Sequence, residues 1–323
     1  MRYIDGATAS ESGLNGRSGV SAKISGVFPV LPCPFDAEGR PDEAGLRRVI
    51  DFVVASGADG VVFPGLASEY DQLSLDERLA LIGVVGAHVG GRIAFMVGAS
   101  SGKPEDTIAL MQAGRAAGAV GAMIMTPPQF VEDRQGLIDF YRTVGREGGL
   151  PVMLQNAPRP MGVGLSAEEV AAVVAAAPEI AWVKEENMPC GQRISVILAN
   201  RPAHLQGVFG GAGGRYIVDE LARGAIGTMP AAELPEAHVA LMAAHAEGDE
   251  DGVRAMYEKM LPLLMMQAVF RWDLTKEVLR RRGLIDSAFV RASGPRFDAG
   301  DHDELTALLA RVQSLTGPLP VGG

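Results

Sequence analysis

From residue 26 onward the chain repeats one unit: a short apolar run, a loop, and an amphipathic helix. Apolar runs at 27–31, 60–63, 93–97, 120–125, 151–155, 180–184, 205–208 and 225–229 alternate with stretches of helical spacing. In residues 42–55, for example, Leu46, Val49, Phe52 and Val53 share one helical face. Two helices carry the same capping box, Ser74 with Glu77 and Ser166 with Glu169. The apolar runs do not alternate with polar residues, as expected of parallel strands buried on both faces. Eight such units in succession predict a closed (β/α)8 TIM barrel. An open doubly wound sheet would carry G-x-G-x-x-G after its first strand, and that spacing is absent. Three more helices, about 249–267, 273–282 and 303–315, exceed what the barrel needs. The reading is a flexible tail over 1–25, a barrel over 26–247 and a C-terminal helical appendage over 248–323.

The totals exclude several functions. A net charge of −10 with no local basic cluster argues against a nucleic-acid partner. No stretch approaches the roughly 20 uninterrupted apolar residues of a membrane span, and residues 1–25 lack the apolar segment of a signal peptide. Two cysteines, Cys33 and Cys190, make no disulfide framework, so a cytoplasmic location is expected. The five histidines show no metal-binding spacing, and neither a metal nor a diffusible cofactor is expected. Gly210-Gly211-Ala212-Gly213-Gly214 matches no phosphate-loop spacing; its glycines let the backbone approach a small substrate. Leu263-Leu264-Met265-Met266 reads as core packing.

In such barrels the chemistry lies at the C-terminal ends of the strands. One residue stands out there. Of five lysines, four fall in polar loops or on expected exposed helix faces; Lys184 alone closes an apolar run. A lysine in apolar surroundings loses hydration of its ammonium, which favours the neutral amine. A neutral amine attacks a ketone to form a Schiff base. The plainer alternative is a strand-end lysine that reaches water or pairs with Glu185 or Glu186.

The order of motifs resembles the pyruvate-aldolase family of dihydrodipicolinate synthase and N-acetylneuraminate lyase. The matching marks are Gly26-Val27-Phe28 with Pro34-Phe35, the loop Gly65 to Glu69, Thr126-Pro127-Pro128, Asn156-Ala157-Pro158, Val183-Lys184-Glu185 and Gly224-Ala225-Ile226-Gly227. The resemblance implies that Lys184 forms the Schiff base with a 2-keto acid. It also implies that the backbone amides of Leu66 and Ala67 bind the acid's carboxylate. Departures are equally informative. Gln155 stands where the family has its proton-shuttling tyrosine, Leu66 and Ala67 replace paired threonines, and Pro128 and Gln129 replace a tyrosine pair. Dihydrodipicolinate synthesis and sialic-acid cleavage are therefore disfavoured.

Gln155 followed by Asn156-Ala157-Pro158, with Ser68-Glu69 in the second loop, is similar to the 2-keto-3-deoxy-L-arabonate dehydratases. That likeness implies a hydro-lyase that dehydrates a 2-keto-3-deoxy-pentonate to 2-oxoglutarate semialdehyde. A retro-aldol lyase releasing pyruvate and a catalytically silent ligand-binding barrel are the alternatives. Ser68, Glu69 and a water held by Gln155 are the candidates for proton transfer. Asn156 orients the loop or a substrate hydroxyl, and Gly210 and Gly211 face the substrate. A homotetramer or homodimer is expected, through the strand-4 side, where Gln129-Phe130-Val131 offers apolar groups.

Overall fold

The computed structural model describes residues 24–317. Apart from Ile24 and Ser25, the tail expected over 1–25 lies outside the described residues, as does the end of the chain after 317. Eight parallel strands form the sheet: β1 (Gly26–Val27), β2 (Gly60–Phe63), β3 (Ala94–Gly98), β4 (Gly121–Met125), β5 (Val152–Asn156), β6 (Ile180–Glu185), β7 (Gly207–Gly210) and β8 (Gly227–Thr228). Neighbours run in the order β1-β8-β7-β6-β5-β4-β3-β2. Val30 bridges Val62, and Leu31 N donates to the Val62 carbonyl at 3.0 Å, which joins the two ends of the ladder into a ring. This is the (β/α)8 barrel expected from the repeat. Strand β1 is shorter than the apolar run 27–31 because Pro29 and Pro32 have no N–H to give to a ladder.

The covering helices are α1 (Glu43–Ala55), α2 (Leu75–Val89), α3 (Pro104–Ala116), α4 (Arg134–Gly148), α5 (Ala167–Ala176), α6 (Cys190–Ala199), α7 (Ile217–Ala222) and α8 (Pro235–Glu247). Both expected capping boxes form: Ser74 and Glu77 cap α2, and Ser166 and Glu169 cap α5. The appendage is α9 (Glu250–Phe270), α10 (Trp272–Arg281) and α11 (Ala299–Thr316). Helix α11 starts four residues before its expected position because Asp298 and Asp301 cap each other's backbone. Among the described residues no helix is long and apolar enough to cross a membrane.

Side-chain alternation along each strand divides the apolar residues into two cores. One fills the barrel: Phe28, Val62, Met96, Met123, Met153 and Trp182, with Phe209 edge-on to Phe28 at 5.6 Å. The other lies between the strands and the helices and includes Leu154 and Val183. Adjacent residues such as Met153 and Leu154, or Trp182 and Val183, therefore belong to different cores. The same alternation sends Gln155 and Lys184 inward and Asn156 and Glu185 outward.

Three expectations need correction. Lys276 is not on an exposed helix face; it is fully buried in α10. Its spacing looked surface-like because its partner, Glu69, is 207 residues away in the chain. In the Leu263–Met266 run, Leu263 and Leu264 are core, but Met265 is 52% exposed. At the strand-4 side, Phe130 packs on Phe140 with ring centroids 5.4 Å apart, which leaves Val131 as the exposed apolar group.

Candidate active site

The C-terminal ends of the strands open into a cavity of about 170 Å³ lined by Lys184, Glu186, Leu66, Ala67, Arg215 and Arg271 among others. Lys184 is the last inward-facing residue of β6. It sits in register with Gln155 of β5 on one side and Phe209 of β7 on the other. Only 3% of it is exposed, so it is reached through the cavity alone.

Its ammonium does not lie in purely apolar surroundings. Nζ is 3.1 Å from Glu186 Oε1, the pairing that the plainer reading of the sequence allowed. The Glu186 carboxylate is held from three sides. Gln155 Nε2 donates to Oε2 at 2.7 Å, Ala212 N donates to Oε1 at 3.1 Å, and Lys184 supplies the charge. Burial pushes the Glu186 carboxyl up, but Lys184 and these two donors outweigh it and hold the group below its ordinary value. The carboxylate is therefore ionised beside the amine.

Gly211 makes this arrangement possible. A Cβ there would lie 2.5 Å from Glu186 Cγ. The neighbouring Gly210 would collide with Glu220 Oε2 in the same way, at 1.9 Å. Gly210, the last residue of β7, and Gly211 are thus covered by glutamate side chains rather than facing a substrate, which corrects the role expected for these two. Glu220 on α7 is 1% exposed, and burial, with the charge of Glu186 adding, raises its carboxyl to about 8.

The loop after β2 opens with a 3₁₀ turn, Leu66–Ser68, and a second follows at Tyr70–Gln72. The bonds of the first turn run from Ser68 N to Gly65 O and from Glu69 N to Leu66 O. The amides of Leu66 and Ala67 precede the first turn bond and have no protein acceptor among the described residues. Both residues line the cavity. Trp272 Nε1 donates to Leu66 O at 2.6 Å and so ties the appendage to this loop.

Ser68, Glu69 and Asn156 stand apart from the cavity. Ser68 Oγ, fully buried, accepts from Gly65 N at 2.8 Å and donates to Leu31 O at 2.5 Å. Glu69, in a left-handed conformation at φ 55°, turns its carboxylate away. Lys276 Nζ lies 2.5 Å from Oε1, and Ala292 N donates to Oε2 at 2.6 Å. Burial depresses the Lys276 ammonium, against the charge of Glu69 which supports it. Asn156 points outward, donating to Leu165 O at 3.0 Å and to Glu185 Oε2 at 2.8 Å. Its Oδ1 also accepts from Leu165 N at 3.0 Å, so its bonds join the segment before α5 to β6. Gln155 faces inward, but it reaches the cavity through Glu186.

The sequence reading passed over Glu186 as a catalytic group and missed Arg215, Arg271, Trp272 and Thr275, which also line the cavity. Glu186 had one signal, its position two residues after the strand lysine. The other four carried none. Arg271, Trp272 and Thr275 come from the appendage, which the reading treated as surplus to the barrel.

Comparison with known proteins places these features in a family. The sequence profile of the dihydrodipicolinate synthetase family matches residues 23–311. An L-2-keto-3-deoxyarabonate dehydratase of Azospirillum brasilense is 28% identical over 294 residues, covering 90% of this chain and 95% of that protein. A probable 2-dehydro-3-deoxy-D-pentonate aldolase, YjhH, of Escherichia coli is 27% identical, covering 76% of this chain and 83% of that protein. In fold, the chain superposes with a TM-score of 0.82 on YagE of Escherichia coli, a member of the dihydrodipicolinic acid synthase family solved with pyruvate. That match has 24% identity and covers 90% of this chain and 99% of that one. The chain belongs to the dihydrodipicolinate synthetase family and is a lyase of that family.

Proposed function

We propose that this protein dehydrates a 2-keto-3-deoxy sugar acid through a Schiff base on Lys184. The observation that carries the reading is the pairing of a buried lysine with an ionised carboxylate in a cavity also lined by Leu66 and Ala67, whose amides lack acceptors among the described residues. The substrate's carboxylate accepts from Leu66 N and Ala67 N, a role that does not depend on their side chains. Lys184 passes a proton to Glu186, and its free amine adds to C2. The carbinolamine's C2 hydroxyl takes that proton back from Glu186 and leaves as water, which restores the carboxylate; the iminium that remains is the electron sink of the reaction and makes a metal or diffusible cofactor unnecessary.

Glu186, not Ser68 or Glu69, then moves the protons. As a carboxylate it removes a proton from C3, and the C3–H electrons flow to the iminium nitrogen, giving an enamine. As an acid it returns that proton to the C4 hydroxyl. The enamine electrons move back, the C4–O bond breaks, and water departs. Hydrolysis frees Lys184. With a pentonate, the unsaturated acid tautomerises to 2-oxoglutarate semialdehyde. Gln155 positions the Glu186 carboxylate through the 2.7 Å bond. The similarity to the Azospirillum dehydratase supports water loss.

Retro-aldol cleavage is the second reading, supported by the similarity to the probable pentonate aldolase of Escherichia coli. It uses the same iminium but breaks C3–C4. Incubation with 2-keto-3-deoxy-pentonate separates the two. Semialdehyde without pyruvate is the expected result, and pyruvate as the main product would overturn dehydration.

A further inference from the structure

Two arginines face the cavity with no carboxylate partner among the described residues. Arg215 follows β7, where Tyr257 Oη donates to its carbonyl at 2.5 Å. Among the described residues its guanidinium makes one hydrogen bond, to Gln267 Oε1 at 3.4 Å, and its charge also acts on the buried Glu233 carboxyl, without an ion pair between them. Arg271 sits between α9 and α10 with φ 49° and ψ −108°, a conformation costly for a residue with a side chain. Its guanidinium lies over the Trp272 ring, 4.6 Å from the centroid, and against Met161 Sδ.

Burial lowers the Arg271 guanidinium; Glu186 and, less strongly, Asp71 support its charge, while Arg215 opposes it. The two arginines thus act on each other as like charges. Asp71 itself is exposed and forms no ion pair with Arg271. Of the charged groups lining the cavity, Lys184, Arg215 and Arg271 are cationic and Glu186 is anionic, and Glu186 is already engaged by Lys184. Two positive charges are left over. A keto acid bound through its own carboxylate to Leu66 N and Ala67 N neutralises one of them at most. Holding two guanidiniums together without an acid between them is unfavourable, and a planar carboxylate is the group their fork geometry fits.

We infer that Arg215 and Arg271 form a second anion subsite, and that the preferred substrate is a 2-keto-3-deoxy sugar acid with a second carboxylate at the far end of its chain. This rests on the reading that Lys184 holds the keto carbon, and it adds a specificity which that reading does not require. Arg271 is the more constrained of the two, being fixed by its backbone, by Trp272 and by Met161. It is assigned the larger share of the discrimination.

The test compares two substrates that differ only at the terminal carbon, 2-keto-3-deoxy-hexonate and 2-keto-3-deoxy-hexarate. Wild-type kcat/KM is expected to favour the diacid by about 10- to 100-fold, the range for a charge-assisted contact present in one substrate and missing in the other. In Arg271→Met that ratio should fall to about threefold or less, and Arg271→Lys should keep part of it. Borohydride trapping of pyruvate on Lys184, measured on each variant, reports an intact site. Equal kcat/KM for the two acids with trapping intact overturns the second subsite and leaves the dehydratase reading standing. Absence of both trapping and turnover overturns both. An unchanged diacid preference in Arg271→Met with a normal thermal melt overturns the assignment to Arg271.

Discussion

Replacing Glu186 by glutamine separates its charge from its packing. The carboxylate accepts from Gln155 at 2.7 Å, from Ala212 N at 3.1 Å, and from Lys184 at 3.1 Å. A new amide would point its NH₂ at Gln155 Nε2, but Gln155 can rotate its own amide and present oxygen instead. The hydrogen-bond count then survives, so the change in bonding and packing alone should alter folding stability by no more than about 1 kcal/mol. The charge does not survive. Unit charges 3.1 Å apart attract by about 5 kcal/mol at an effective dielectric near 20, and the desolvation of two buried groups offsets part of that. With the carboxylate gone, Lys184 loses its proton acceptor, and C3 and the C4 hydroxyl lose their shuttle. The turnover number should fall by about 10²- to 10⁴-fold, the range for removing a general acid–base. Single-turnover formation of the unsaturated product is the assay, with circular dichroism melts as the folding control. A rate within about threefold of wild type, under 1 kcal/mol of barrier, would refute the assignment.

Gln155→Ala removes the donor to a buried carboxylate oxygen and should cost about 1–3 kcal/mol of stability. It should also lower turnover roughly tenfold or more with the pH profile of kcat displaced; a changed rate with an unmoved profile would reduce Gln155 to packing. Glu69→Ala leaves the Lys276 ammonium buried without its counter-charge and should destabilise the fold by about 3–5 kcal/mol in urea titrations. Pyruvate trapping on Lys184 should survive in the folded fraction, and selective loss of turnover in a stable variant would return Glu69 to the chemistry. Glu220 titrates near 8 folded and 4.5 in its ordinary state. Between those values the folded chain keeps a proton that the unfolded chain has released, so its contribution to stability is full below 4.5 and is lost as pH rises through 8. Glu220→Gln should flatten that decline, and parallel stability–pH curves for the two proteins would contradict it.

The barrel was legible because its signal is repeated and local. Eight apolar runs with helices between them, two capping boxes and the prolines around β1 each act within a few residues. Lys184 was legible for the same reason, as a cation ending an apolar strand. The roles around it depended on alternation and on long-range pairing. Asn156 follows Gln155 by one residue, yet the pleat turns it to the opposite side of the sheet. Glu69 sits in the expected loop, but its partner is Lys276, on a helix of the appendage. Nothing local to either residue announces that ion pair. Arg271 and Trp272 enter the cavity because α9 and α10 fold back over the loop after β2, a packing decision that no periodicity encodes. Glu186 was visible as a neighbour of Lys184 and was read there as a partner; that it also lines the cavity follows from the glycine at 211, which only the backbone path reveals.

The central claim is that Lys184 is the covalent nucleophile. Borohydride reduction in the presence of pyruvate or 2-keto-3-deoxy-pentonate, followed by peptide mass spectrometry, tests it most directly. The account predicts one reduced adduct per chain, located on the peptide containing Lys184 and absent from Lys184→Ala. An adduct on Lys276 or any other lysine, or turnover retained in Lys184→Ala, would contradict it.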